Sequence, residues 1–272
     1  MQNNYVGDVG DYYKYGLLRH LSGSTADGDK DSLSLGVVWY LFADQCKAND
    51  GQHLGYLEDP KALSHYDPGL YEELKKLIAD WRRLKDENIR SVGEVQKRRI
   101  LPGDTLFFSE PLSLKRFQKG TSKAIETRIS SRNRWLESAL IKTEKSDFIF
   151  VDPDNGLQVD SMPIHRDRGA KYCAYEELKA FWQRKQSLVI YQHMSRKGNA
   201  NEQIKAIENK LCEHLKITSP EFVERVIFGS RIFFIVVNNK HKAILTQRLK
   251  GFEKKLEKVR PRGVVTRHAA NS

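Results

Sequence analysis

Residues 225–237, Arg-Val-Ile-Phe-Gly-Ser-Arg-Ile-Phe-Phe-Ile-Val-Val, decide how this chain folds. Two apolar runs, Arg225–Phe228 and Ile232–Val237, are separated only by Gly229, Ser230 and Arg231. That gap is far too short for a crossover connection, so the runs must pair antiparallel as a hairpin. Everything upstream reads differently. Leu35–Leu41, Leu106–Ser109, Phe148–Val151 and Leu188–Tyr191 are short continuous apolar runs, the form taken by strands buried on both faces. Helical patterns alternate with them at Tyr71–Leu84, Ser122–Leu140, Tyr175–Trp182 and Asn201–Leu215. Strand and helix by turns imply βαβ units. The expected fold is therefore α/β, a doubly wound, mostly parallel, Rossmann-like sheet closed by an antiparallel C-terminal hairpin. Unrelated activities share this architecture, so it bears on fold alone.

The 272 residues suit one α/β domain over 1–239, with an N-terminal helical segment and an insertion around 58–100, followed by a basic helix and tail over 240–272. A 39% hydrophobic content supports a sizeable core and excludes a disordered chain. No apolar run approaches the roughly 18 residues of a bilayer span, and the polar first 20 residues do not read as a signal peptide. A soluble, cytoplasmic protein without membrane partners is expected. Cys46, Cys173 and Cys212 are odd in number and lack CxxC spacing, which argues against a disulfide framework or a structural zinc site.

Forty-six basic against 35 acidic residues give a formal charge of +11, the sign expected for a phosphate-rich partner. Most of that excess is local. Lys240, Lys242, Arg248, Lys250, Lys254, Lys255, Lys258, Arg260, Arg262 and Arg267 face only Glu253 and Glu257. Ile244, Leu245, Leu249, Phe252 and Leu256 lie at helical spacing and would dock this helix on the body. Its outer face would then meet nucleic-acid phosphates, with Lys240, Lys242, Arg248, Lys250, Lys254, Lys255 and Lys258 as the contacts.

In such sheets ligands gather at the carboxyl ends of the strands. The third strand runs into Asp152-Pro153-Asp154-Asn155-Gly156-Leu157, where a proline and a glycine enforce a tight loop holding two carboxylates and an amide. Such a loop can accept hydrogen bonds from an exocyclic base amine, or its carboxylates can hold a divalent cation. An ordinary Asx turn explains the same residues. Glu110 ends the second strand, where an acid commonly takes ribose hydroxyls. The fourth strand delivers Tyr191, Gln192 and His193, and Asp50 lies in the polar loop after the first. Asp8 and Asp11 flank the start of an N-terminal helix carrying Lys14, with Leu17, Leu18 and Leu21 facing the core.

In order, these segments resemble the bacterial large-subunit rRNA adenine methyltransferases of the RlmJ type. The opening segment NNYVGDVGDYYKYGLL carries Lys14 where that family has its lysine and Tyr15 in place of its histidine. Ser109-Glu110 matches a Thr-Glu pair, Asp152-Pro153-Asp154-Asn155 matches the catalytic Asp-Pro-Pro-Tyr, and Ile190-Tyr191-Gln192 matches Trp-Tyr-Pro. Residues 234–238, FIVVN, match the final strand. The resemblance implies S-adenosylmethionine-dependent methylation of an exocyclic amine in nucleic acid, with an adenine in RNA as the candidate target. It implies roles for Lys14, Tyr15, Glu110, Asp152, Asp154 and Asn155. With Tyr40 and His193 added from their places at the strand ends, the candidate cofactor site is Lys14, Tyr15, Tyr40, Glu110 and Asp152, and the candidate catalytic residues are Asp152, Asp154, Asn155 and His193. A lone histidine such as His193 also reads as a structural hydrogen bonder. Two departures stand out. The stretch VVWYLFADQCKANDG lacks the family's glycine loop, and the second proline and stacking aromatic of the catalytic loop are absent. Two other readings use the same residues: a Mg²⁺-dependent nuclease built on Asp50, Asp152 and Asp154, and a non-catalytic nucleic-acid-binding module.

Overall fold

The structure, a computed structural model, describes residues 2–23, 31–42, 51–58, 63–114, 121–195, 198–218, 222–259 and 264–265. Its strands are β1 (Leu35–Trp39), β2 (Leu106–Phe108), β3 (Phe148–Asp152), β4 (Ser187–His193), β5 (Val223–Phe228), β6 (Arg231–Val236) and β7 (Val264–Val265). They form one sheet in the order β2-β1-β3-β4-β6-β5-β7. The helices are α1 (Val9–Ser22), α2 (Pro68–Leu84), α3 (Val92–Lys97), α4 (Ser122–Lys142), α5 (Tyr175–Gln183), α6 (Ala200–Leu215) and α7 (Lys242–Val259).

The α/β class stands, but the sheet is mixed rather than mostly parallel. β2, β1, β3 and β4 pair parallel, whereas β4 with β6, β6 with β5 and β5 with β7 pair antiparallel. The cause is the hairpin itself. A two-residue turn of Gly229, with φ +60°, and Ser230 joins Phe228 to its ladder partner Arg231. β6 then slots backwards between β4 and β5, and β7 extends the antiparallel edge beyond what the tail's sequence announces.

Side-chain alternation along the strands feeds two cores. Val37, Phe150, Val189 and Phe233 face a layer built by α1, α2, α3 and α7, in which Leu17, Leu18 and Leu21 are buried. Val38, Val151, Ile190 and Phe234 face α4, α5 and α6. Both faces are covered, which is why the strands read as unbroken apolar runs. Leu245, Leu249, Phe252 and Leu256 of α7 sit in the first layer, so the basic helix is an integral part of the core. Among the described residues no helix is long and apolar enough to cross a membrane.

Candidate functional site

The chain leaves β1 toward β2 on one side and resumes at β3 on the other, so its connections diverge between β1 and β3. At that point, with Trp39 paired to Asp152, the carboxyl edge opens a cleft of about 440 Å³. The start of α1, the loop after β3, the end of β4 and the β5–β6 turn line it.

Helix α1 enters the site by its first turns. Asp8 caps it, accepting from the Asp11 backbone N–H at 3.0 Å. One turn on, Lys14 reaches down between two carboxylates, with Nζ 2.6 Å from Asp11 Oδ1 and 2.8 Å from Asp152 Oδ2. All three side chains are buried. The Tyr15 hydroxyl donates to Asp11 Oδ2 at 2.8 Å, and the Lys14 ammonium lies 5.3 Å from the centre of the Trp39 ring. Burial pushes Asp11 up to about 6, with the Asp8 and Asp152 charges adding and Lys14 opposing. Burial works against charge on Lys14 as well, but Asp11 and Asp152 outweigh it and hold its pKa above that of an ordinary lysine. Burial and Asp11 drive the Tyr15 phenol well above its usual value. Lys14 is thus the fixed counter-ion of an acid pair contributed by α1 and β3.

The loop after β3 is braced from β4. Gln192 Oε1 accepts from the Leu157 N–H at 2.8 Å, and its amide donates to the His193 carbonyl at 2.9 Å. Gly156 has φ +89°, and a Cβ there would collide with that same Gln192 amide, so only glycine closes the turn. Asp154 accepts from Gln2 Nε2 at 2.9 Å and Lys171 Nζ at 3.1 Å. Burial disfavours its charge, yet the Gln2 and Lys171 donors help hold its carboxyl below the ordinary range. The Asn155 side chain is exposed on the cleft.

The far wall is β4 and β6. His193 pairs with Arg231 across the ladder, and both line the cleft. Arg231 lies across the backbone of Gly10, where a Cβ would stand 2.5 Å from Nε, and its Nη2 is 3.7 Å from Asp8 Oδ2. Among the described residues that buried carboxylate oxygen has no hydrogen-bond partner. Tyr191 also lines the cleft, and burial pushes its phenol up to about 12.

Of the expected site residues, Lys14, Asp152, Asp154, Asn155 and His193 converge here. Others do not. Tyr40 belongs to the opposite layer, because it has the strand parity of Val38; its hydroxyl donates to Glu177 at 3.1 Å and lies 3.1 Å from Cys173 Sγ. Tyr15 is buried beneath Asp11, away from the cleft lining. Glu110 is exposed beyond β2 and outside the cleft, its main-chain carbonyl accepting from Trp135 Nε1. Asp50 lies outside the described residues. Asp152 and Asp154, the other members of the metal set, each hold a lysine, and among the described residues no trio of His, Cys, Asp or Glu is arranged to bind a metal ion. Asp8, Gly10 and Arg231 complete the site. Arg231 opens β6 just after the hairpin turn, and nothing in its local sequence marks it as facing α1.

The basic helix divides by direction. Arg248 points inward and ties α7 to the body, donating to the carbonyls of Leu21 at 2.8 Å and Asp31 at 2.9 Å. Lys255 covers the Tyr66 ring at 5.0 Å, and Lys240 pairs with Asp147 at 3.3 Å. Lys242, Lys250 and Lys254 line a shallow outer groove with Asn239, Thr246 and Gln247. The side chain of Lys258 lies outside the described residues.

No family model matches the chain, and no curated protein does. Among solved structures it is similar to a DUF519 protein from Legionella pneumophila, with a TM-score of 0.45 and 12% identity over 97% of each chain. Neither result assigns the chain to a family or an activity.

Proposed function

We propose that the chain is an S-adenosylmethionine-dependent methyltransferase acting on an exocyclic amine of a nucleic acid, a distant relative of the RlmJ-type enzymes. The observation that carries this reading is the position of Asp152-Pro153-Asp154-Asn155 at the carboxyl end of β3, beside the point where the connections diverge. The strand order supports it, since a β6–β5 hairpin inserted backwards beside parallel strands with helices on both faces is compatible with a Rossmann-like methyltransferase sheet.

The residues fit the cofactor in part. The exposed Glu110 stands at the end of β2, next to β1, where a carboxylate takes ribose hydroxyls. Aspartates on the cleft suit a sulfonium-bearing ligand, which when bound supplies an electrophilic methyl group. Tyr40 does not fit, being committed to Glu177 and Cys173. The chain's own work would be orientation. The exposed Asn155 amide oxygen would accept a hydrogen bond from the target amine, while Lys14 fixes the buried Asp152 at the start of the same loop.

Calorimetry with S-adenosylmethionine tests the reading. Micromolar binding, weakened about tenfold in Glu110→Ala by loss of hydrogen bonds to a charged group, supports it. No heat at millimolar cofactor would sink it.

A further inference from the structure

We propose that Arg231 is the anion-binding residue of the cleft, and that the anion is a backbone phosphodiester of a single nucleic-acid strand. This rests on the nucleic-acid substrate proposed above, but not on methyl transfer.

Among the described residues the Arg231 guanidinium makes no hydrogen bond; its only ionic contact is Asp8 Oδ2 at 3.7 Å. Its side chain is 25% exposed, against 2% for Asp8. A guanidinium carries five donors in a planar fork that matches two phosphate oxygens. Here that fork sits on the cleft wall with its hydrogen-bonding capacity unspent. The position is rigid, because Arg231 opens β6 and is paired on both sides, to His193 of β4 and to Phe228 of β5. Gly10 keeps the passage open, since a Cβ would press on Nε at 2.5 Å and Cζ at 2.7 Å.

Charge selects both the residue and the ligand. Lys14 is already clasped by Asp11 and Asp152, and Lys171 by Asp154. Among the described residues Asp8, Asp11, Asp152 and Asp154 outnumber Lys14, Lys171 and Arg231 by one, so a monoanionic diester is disfavoured less than a terminal phosphate dianion. Phe228, the ladder partner of Arg231, packs on Phe252 of α7 at 6.2 Å between ring centres, which puts the cleft wall and the lysine-bearing helix on one side of the sheet.

The test is fluorescence anisotropy with short single-stranded RNA and DNA probes, without cofactor, across 50–200 mM salt. Arg231→Gln should weaken binding about tenfold and lower the salt slope by about one charge. Arg231→Lys should keep the slope while losing part of the affinity. A probe with neutral methylphosphonate linkages should bind Arg231→Gln and the parent alike. If Arg231→Gln melts early, Gly10→Ala displaces the guanidinium while keeping the residue, and should reproduce the loss. Unchanged affinity and slope in these variants overturns the proposal, as does a parent protein that binds no probe. So does an Arg231→Gln variant that loses S-adenosylmethionine binding with its salt slope intact, which would make the cofactor's carboxylate the anion. A protein that binds probes through Arg231 yet transfers no methyl group refutes only the activity.

Discussion

Replacing Lys14 with methionine keeps the volume of the side chain and removes its charge, leaving Asp11 and Asp152 buried and facing each other. Removing one partner from a buried ionic cluster costs about 3–5 kcal/mol, because the remaining charges lose both water and counter-ion. In a chain of this size that corresponds to a fall in Tm of roughly 6–20 °C. The pH dependence gives the reasoning a second handle. Asp11 is raised from the ordinary 3.8 to about 6, so the folded state holds its proton more tightly than the unfolded chain does. Its contribution to folding is therefore fully present below pH 3.8 and is lost as pH rises through about 6, a penalty on ionising Asp11 inside the fold. Without Lys14, which lowers that value, the penalty grows and extends to higher pH. Urea unfolding of both proteins between pH 5 and 8 should show the largest gap at pH 8 and a narrowing gap toward pH 5. Lys14→Met with Asp152→Asn should recover part of the loss. A gap below about 1 kcal/mol that ignores pH would refute the counter-ion role assigned to Lys14.

Three further outcomes are expected. Gly156→Ala combines a forced φ of +89° with a collision against Gln192, and should cost about 1–3 kcal/mol in urea unfolding while loosening the 152–157 loop. Changing Lys250 and Lys254 together to glutamine should lower the salt slope of nucleic-acid binding by roughly two charges at unchanged Tm. Arg248→Gln, by contrast, should lower stability by about 1–3 kcal/mol through its lost bonds to Leu21 and Asp31, with the slope unaltered. Point changes are the informative ones here, because removing the whole helix would strip Leu245, Leu249, Phe252 and Leu256 from the core.

The strands were legible because burial on both faces leaves an unbroken apolar run such as Phe148–Val151, and the hairpin because three residues cannot make a crossover. The Asp152–Leu157 loop was legible from its proline and glycine, which act on the backbone locally. Tyr40 misled because side-chain direction alternates along a strand, and nothing local says which parity meets which layer of helices. The basic tail read as one charged stripe, whereas packing turned Arg248 inward and left Lys242, Lys250 and Lys254 on the outer groove.

By itself, then, the sequence determined the elements, the hairpin that closes the sheet and the acidic loop at its edge, all consequences of periodicity and backbone stereochemistry over a few residues. Only the tertiary structure decided which charges meet. Lys14 finds Asp152 across 138 positions of chain, and Arg231 finds Asp8 and the bare backbone of Gly10. Those pairings depend on strand order and helix placement, which bring distant segments within a few ångströms, the range over which buried charges and hydrogen bonds act.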